Sequence, residues 1–155
     1  MSERTEPDDG RERPAAEHTR PSGVSDAAVA AAGRLSEALE TVERARGQLY
    51  TFHQLIGHAD RQLGEAVDAL RAAGHAELAA AIDADLVGRN VIPGRWTFQL
   101  VEAFDDGYWT AFRRWDAAAR DALLGGRRHV HEAEMKEARR THGRPGHEAR
   151  PAEGE

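Results

Sequence analysis

The stretch from Leu35 to Leu70, LSEALETVERARGQLYTFHQLIGHADRQLGEAVDAL, decides the fold. Leu35, Val42, Leu49, Ile56, Leu63 and Leu70 recur in it at a strict spacing of seven, and Ala38, Ala45, Phe52, Ala59 and Ala66 follow three residues behind. A sustained seven-residue apolar repeat marks a helix that packs along a coiled-coil-like seam with left-handed supercoiling. A further position of the same repeat reads Leu39, Arg46, His53, Asp60, Val67, so three polar side chains interrupt an otherwise apolar line. Successive members stand about 10 Å apart along a helix, too far to touch one another. Each must therefore meet a partner on a facing helix, and fixing helix register is the favoured role for such a trio. Gly47, Gly57 and Gly64 each cost about 1 kcal/mol relative to Ala within this stretch. Gly47 is the expected break, giving helices near 26–46 and 48–73; one long kinked helix satisfies the same pattern.

Beyond it, Gly74 suits a helix C-terminus, and HAELAAAIDADLVG (75–88) reads as a shorter helix closed by Gly88. GRNVIPGR (88–95) is a turn, because Pro93 and Gly94 interrupt any regular element. The next segment holds seven of the chain's nine Phe, Trp and Tyr residues, between Trp96 and Trp115. Alternation of Trp96, Phe98 and Leu100, with Asp106-Gly107 as a two-residue turn, suggests a β-hairpin. A helical wheel accounts for more of the residues: Leu100, Val101, Phe104, Tyr108, Phe112 and Trp115 share one face, and that period persists for longer than the alternation. The segment is expected to be a helix over about 96–124, stopped by Gly125-Gly126, with Phe104, Tyr108, Phe112 and Trp115 in the core. Phe98 and Trp109 lie off that face, beside Asp105 and Asp116, and imply a second contact.

A chain of 155 residues accommodates one domain with tails. Residues 1–24 and 142–155 are nearly devoid of large apolar side chains and are expected to be disordered. Residues 25–124 form the expected helical domain, and 125–141 a short charged helix or extension. The net charge of -6 is concentrated in the body of the chain, which argues against non-specific nucleic-acid binding. Twenty Arg against the single Lys136 fits a GC-rich coding bias and is not by itself a sign of a nucleic-acid partner. With no Cys, the chain has no disulfides and no thiolate chemistry. No apolar run approaches the ~20 residues of a membrane-spanning helix, and the charged N-terminus is unlike a signal peptide, so a cytoplasmic protein without a membrane partner is expected.

Catalytic signatures are scarce. No P-loop, dinucleotide-binding turn or nucleophile elbow occurs. Glu-x-x-His pairs, the mark of a di-iron bundle, are absent. His53 and Asp60, with an acidic residue of the aromatic helix, offer a looser metal- or ligand-binding set, the basis of an alternative reading as a ligand-binding bundle or enzyme. The leading reading is an all-α protein, a long helical hairpin or small antiparallel bundle, that acts without catalysis or cofactor as an interaction or regulatory protein. It binds a protein partner or associates with a second copy of itself through its helices, as a homodimer. Trp96, Phe98 and Trp109 are the expected partner-binding residues, since Trp is enriched where interfaces concentrate their energy. Arg127, Arg128, Arg139 and Arg140 add positive charge.

GRNVIPGRWTFQLVEAFDDGYW (88–109) and RRHVHEAEMKEARRTHGRPGH (127–147) resemble segments of a group of small uncharacterised actinobacterial helical proteins, the similarity spanning roughly 35–147. The resemblance implies an actinobacterial cytoplasmic origin. It brings no established activity, and no catalytic residue carries over from it.

Overall fold

A computed structural model describes residues 10–150, and among these the chain is all-α. The helices are α1 (Asp26–Ala72), α2 (Ala76–Asp85), α3 (Thr97–Phe104), α4 (Thr110–Leu124) and α5 (Val130–Arg139). A 3-10 turn at Ala16–His18 precedes them, and a π-helical turn, Asp105–Trp109, joins α3 to α4. The bridge between Ile92 and Arg95 closes the expected Pro93-Gly94 turn.

The heptad stretch is one uninterrupted helix. Gly47 does not break it: a Gly penalty of about 1 kcal/mol is small beside an apolar seam that continues on both sides. Ser25 starts the helix, its Oγ accepting the N–H of Ala28 at 3.2 Å. Gly74 ends it at φ +88°, with Gly74 N–H donating to Arg71 and His75 N–H to Leu70, the paired bonds of a Schellman cap.

The chain divides into two compact units. One gathers the described residues up to Leu39 and from Phe112 onward; the other runs from Glu40 to Ala111. In the first, Val29 and Ala32 of α1, Leu124 of α4 and Val130 of α5 are buried together, with Val24 and Leu123 packed against them. Composition predicted disordered tails over 1–24 and 142–155. Residues 1–9 and 151–155 lie outside the described residues. The remainder of both segments is placed, with Val24 packed on the apolar centre and charge pairs tying the segments to α1 and α5. Arg20 makes a bidentate pair with Glu134 at 2.7 and 2.8 Å and also reaches Asp26. Arg140 bonds Glu12 and Glu137 at 2.7 and 2.6 Å, and Ala149 N–H donates to the Arg11 carbonyl.

In the second unit α1 runs antiparallel to α3. As numbers rise along α1, those of the partners fall: Glu43 with Trp109, Arg46 with Asp105, His53 with Thr97. The helical reading of the aromatic segment therefore holds and the hairpin does not. Its inward face, however, differs from the wheel. Tyr108 and Trp115, expected in the core, are 60 % and 65 % exposed. The π turn supplies the reason, since it adds one residue to a single turn and slips everything downstream by one position. Trp109 is half-buried in the place expected of Tyr108, and Asp116 is buried in the place expected of Trp115.

Candidate functional site

The polar trio of α1 sits on its inward seam, and each member has found a partner within residues 40–111. Arg46 grips both carboxylate oxygens of Asp105, at 2.7 and 3.0 Å. His53 Nδ1 and Thr97 Oγ1 share a hydrogen bond of 2.7 Å at the first turn of α3. The carboxylate of Asp60 accepts the N–H of Gly88 at 2.8 Å, pinning the loop after α2. Two partners come from α3 and the π turn that continues it, and the third is the backbone of a loop. A shift of one helical turn would separate all three pairs at once, so together they specify the register of α1 against these segments.

Around Arg46 the arrangement is denser. Its guanidinium lies 4.2 Å from the centroid of the Trp109 ring and 5.0 Å from that of Tyr50, while Trp109 Nε1–H donates to Glu43 at 2.8 Å. Cation–π attraction and a charge-assisted fork thus act on one cation. The Asp105 carboxyl is held below its ordinary value chiefly by the hydrogen bond from Arg46, against the opposing effect of desolvation. Arg46 is correspondingly held above its own. Of the residues expected to bind a partner, Trp109 is therefore committed inside the protein, to Arg46 and Glu43.

Trp96 and Phe98 are placed differently. Both are exposed, and their rings meet edge to face with centroids 5.2 Å apart. They belong to a large exposed set: Tyr50, Phe52, Leu55, Leu78, Leu86, Val91, Ile92 and Tyr108 of the same unit also show more than a third of their surface. Its buried hydrophobic residues are three, Val67, Ala79 and Val101. Val42, Leu49, Ile56, Leu63, Leu70, Ile82, Val87, Leu100 and Phe104 are half-buried, so the unit has an inward apolar seam and, beside it, ten large hydrophobic residues open to solvent.

The basic residues do not form one surface. Arg140 is 8 % exposed and committed to Glu12 and Glu137, because the segment around Glu12 folds over it. Arg127 donates to the Thr19 carbonyl. Arg128 and Arg139 are exposed, and the Arg128 carbonyl is hydrogen-bonded to the His18 ring at 2.6 Å. Composition suggested four cations on display; charge pairing with the N-terminal segment removes Arg140 from that set.

Sequence reasoning missed a polar cluster in the first unit. Buried Asp116 accepts from the Ser36 hydroxyl at 2.8 Å and from Arg120. Beside it, His131 packs so closely on Gly33 that a Cβ there would lie 2.9 Å from the ring's Cγ. A small hollow lined by Ser36, Arg120, Arg127, His129, His131 and Glu132 opens next to these groups. The one signal in the sequence was Gly33 inside a helical run.

His53 and Asp60, the alternative ligand pair, each have a single partner of ordinary hydrogen-bonding chemistry and lie two turns apart on α1. Among the described residues, no group of three His, Asp or Glu side chains is placed to hold a metal ion. Nor is any helix of the described residues long and apolar enough to cross a membrane. No protein family, curated protein or solved structure matches this chain.

Proposed function

We propose that the chain is a cytoplasmic, non-enzymatic helical interaction protein whose residues 40–111 present the binding face to a protein partner or to a second copy. The observation that carries this reading is the set of ten large hydrophobic residues that this unit leaves exposed, the Trp96–Phe98 ring pair among them. Exposed apolar surface of this extent is costly to keep in water and marks interaction sites. Trp96 and Phe98 are its best anchors: two rings braced against each other lose little freedom on binding. The polar seam serves this role by holding α1, α3 and the loop at Gly88 in one register, so that the exposed side chains are presented as a set.

The test is photocrosslinking of the full chain. A photoreactive amino acid at Trp96 or Phe98 is expected to yield protein–protein adducts, whereas one at exposed Arg113, in the other unit, yields few. Adducts of equal yield at both places, or none at Trp96 and Phe98, contradict the reading. Native mass spectrometry with elemental analysis of untagged protein bears on the alternative. A monomer carrying one metal ion or small ligand per chain, lost on His53→Ala, would replace the interaction reading with a ligand site at His53 and Asp60.

A further inference from the structure

The heptad stretch carries a second line that the packing of α1 against α3 leaves unused. Ala45, Gln48, Phe52, Leu55, Ala59 and Gln62 follow one another at alternating spacings of three and four, and every one is exposed. Phe52 is 38 % exposed and Leu55 59 %. None of the six bears a charge, although charged residues stand immediately beside the line at Arg44 and Glu65. Spacings of three and four are those of a helix–helix seam, carried here by Phe52 and Leu55 at the centre and by Ala and Gln on either side.

We propose that this strip is the seam of an antiparallel homodimer, in which α1 of one copy lies along α1 of a second. The inference rests on the interaction reading above and names the partner for one of its faces. Two features of the residues select a second copy in this orientation. The first is size. Set antiparallel with Phe52 against Leu55 of the second copy, the strip also places Gln48 against Ala59 and Ala45 against Gln62, and the two-fold axis repeats all three layers. Each long side chain outside the central pair then meets a small one, as interdigitating helices require. A parallel pair would instead stack Ala on Ala and Gln on Gln, opening gaps beside bulges.

Charge is the second feature. In the antiparallel register Arg44 stands opposite Glu65 of the second copy, and symmetry supplies the same attraction again at the other end. Sliding one copy by a heptad toward the N-terminus sets Glu65 against Glu37 and Arg44 beside His58, which disfavours that register. A surface patch complementary to itself about a two-fold axis is what a closed dimer needs.

The absence of cysteine makes the test clean, since each introduced thiol is the only one present. Chains carrying Gln48→Cys and mass-tagged chains carrying Ala59→Cys are mixed and oxidised as full-length protein. The mixed disulfide is expected to exceed either same-residue disulfide; a preference for same-residue products overturns the antiparallel seam. Leu55→Asp, at an exposed position, is expected to keep the helical circular dichroism and give a monomer in sedimentation velocity. Glu65→Arg is expected to weaken dimerisation by about tenfold through two reversed pairs, and the double substitution Arg44→Glu, Glu65→Arg to restore it. A chain that remains monomeric while photoadducts at Trp96 to another protein persist overturns the seam and leaves the interaction reading standing. Loss of both overturns both.

Discussion

The two units are held by different kinds of interaction. Val29, Ala32, Leu124 and Val130 give the first a buried apolar centre, tied at its edges by Arg20 to Glu134 and Arg140 to Glu137. The second has three buried hydrophobic residues, a half-buried apolar seam and three polar rungs, from Arg46, His53 and Asp60, and it leaves ten large hydrophobic residues exposed. A unit with an apolar centre is stable by the area it has already removed from water. On the proposed reading, one that exposes that area keeps part of its stabilisation for the moment a partner covers it. Under that reading, the first unit maintains the fold and the second presents a surface.

Substitutions that attack the first unit's centre should therefore have the largest effect on stability. Leu124→Ala is expected to cost about 2–5 kcal/mol in urea unfolding while leaving association of the folded chain unchanged. Asp116→Ala should come next, at about 1–3 kcal/mol, because Ser36 and Arg120 lose their shared acceptor. If either substitution costs nothing, the first unit does not maintain the fold as described.

Acid sharpens the comparison without mutation. Glu137 is held down to about 2, first by the hydrogen bond from Arg140 and then by that from His142. A carboxyl lowered in the folded state contributes stability in full above its ordinary value of 4.5, and that contribution is lost as pH falls toward 2. Asp105 in the other unit follows the same sign from its ordinary 3.8. Hydrogen exchange should thus show α5 and the Arg46 segment both losing protection below about pH 4 and neither changing between pH 5 and 8. Opening at neutral pH in either place would contradict these pairings.

The smallest effect on stability is expected at His53. His53→Leu removes one rung but adds an apolar side chain on an apolar seam, so it should change unfolding by less than about 1 kcal/mol and leave association intact. Should it abolish a bound ligand instead, the polar rungs are a site rather than a register device.

Much of this comparison is written in the sequence. The seven-residue repeat specifies α1, and the polar interruptions at Arg46, His53 and Asp60 announce that each requires a facing partner, which the structure supplies. Phe98 is legible as a surface because the helical face leaves it out, but Trp109, left out by the same face, is half-buried against Arg46 and Glu43. Tyr108 and Trp115 are not legible as surface, since a single inserted residue in the π turn changes which side faces inward without altering composition or apolar period over either flank. Asp106-Gly107, read as a hairpin signal, falls inside that turn. The pairing of Arg140 with Glu12 was equally hidden: it joins charges at opposite ends of the chain, and nothing local distinguishes a paired Arg from a solvated one.

The central claim is that residues 40–111 form a face that other protein covers. Hydrogen exchange of the full chain, measured in dilute and in concentrated solution alongside sedimentation velocity, tests it most directly. The account predicts a concentration-dependent dimer whose added protection falls on α1 around Ala45–Ala66, with α4 and α5 unchanged. A monomer at every concentration, with the same exchange throughout, would contradict the dimer seam, and the absence of photoadducts at Trp96 and Phe98 besides would contradict the claim itself.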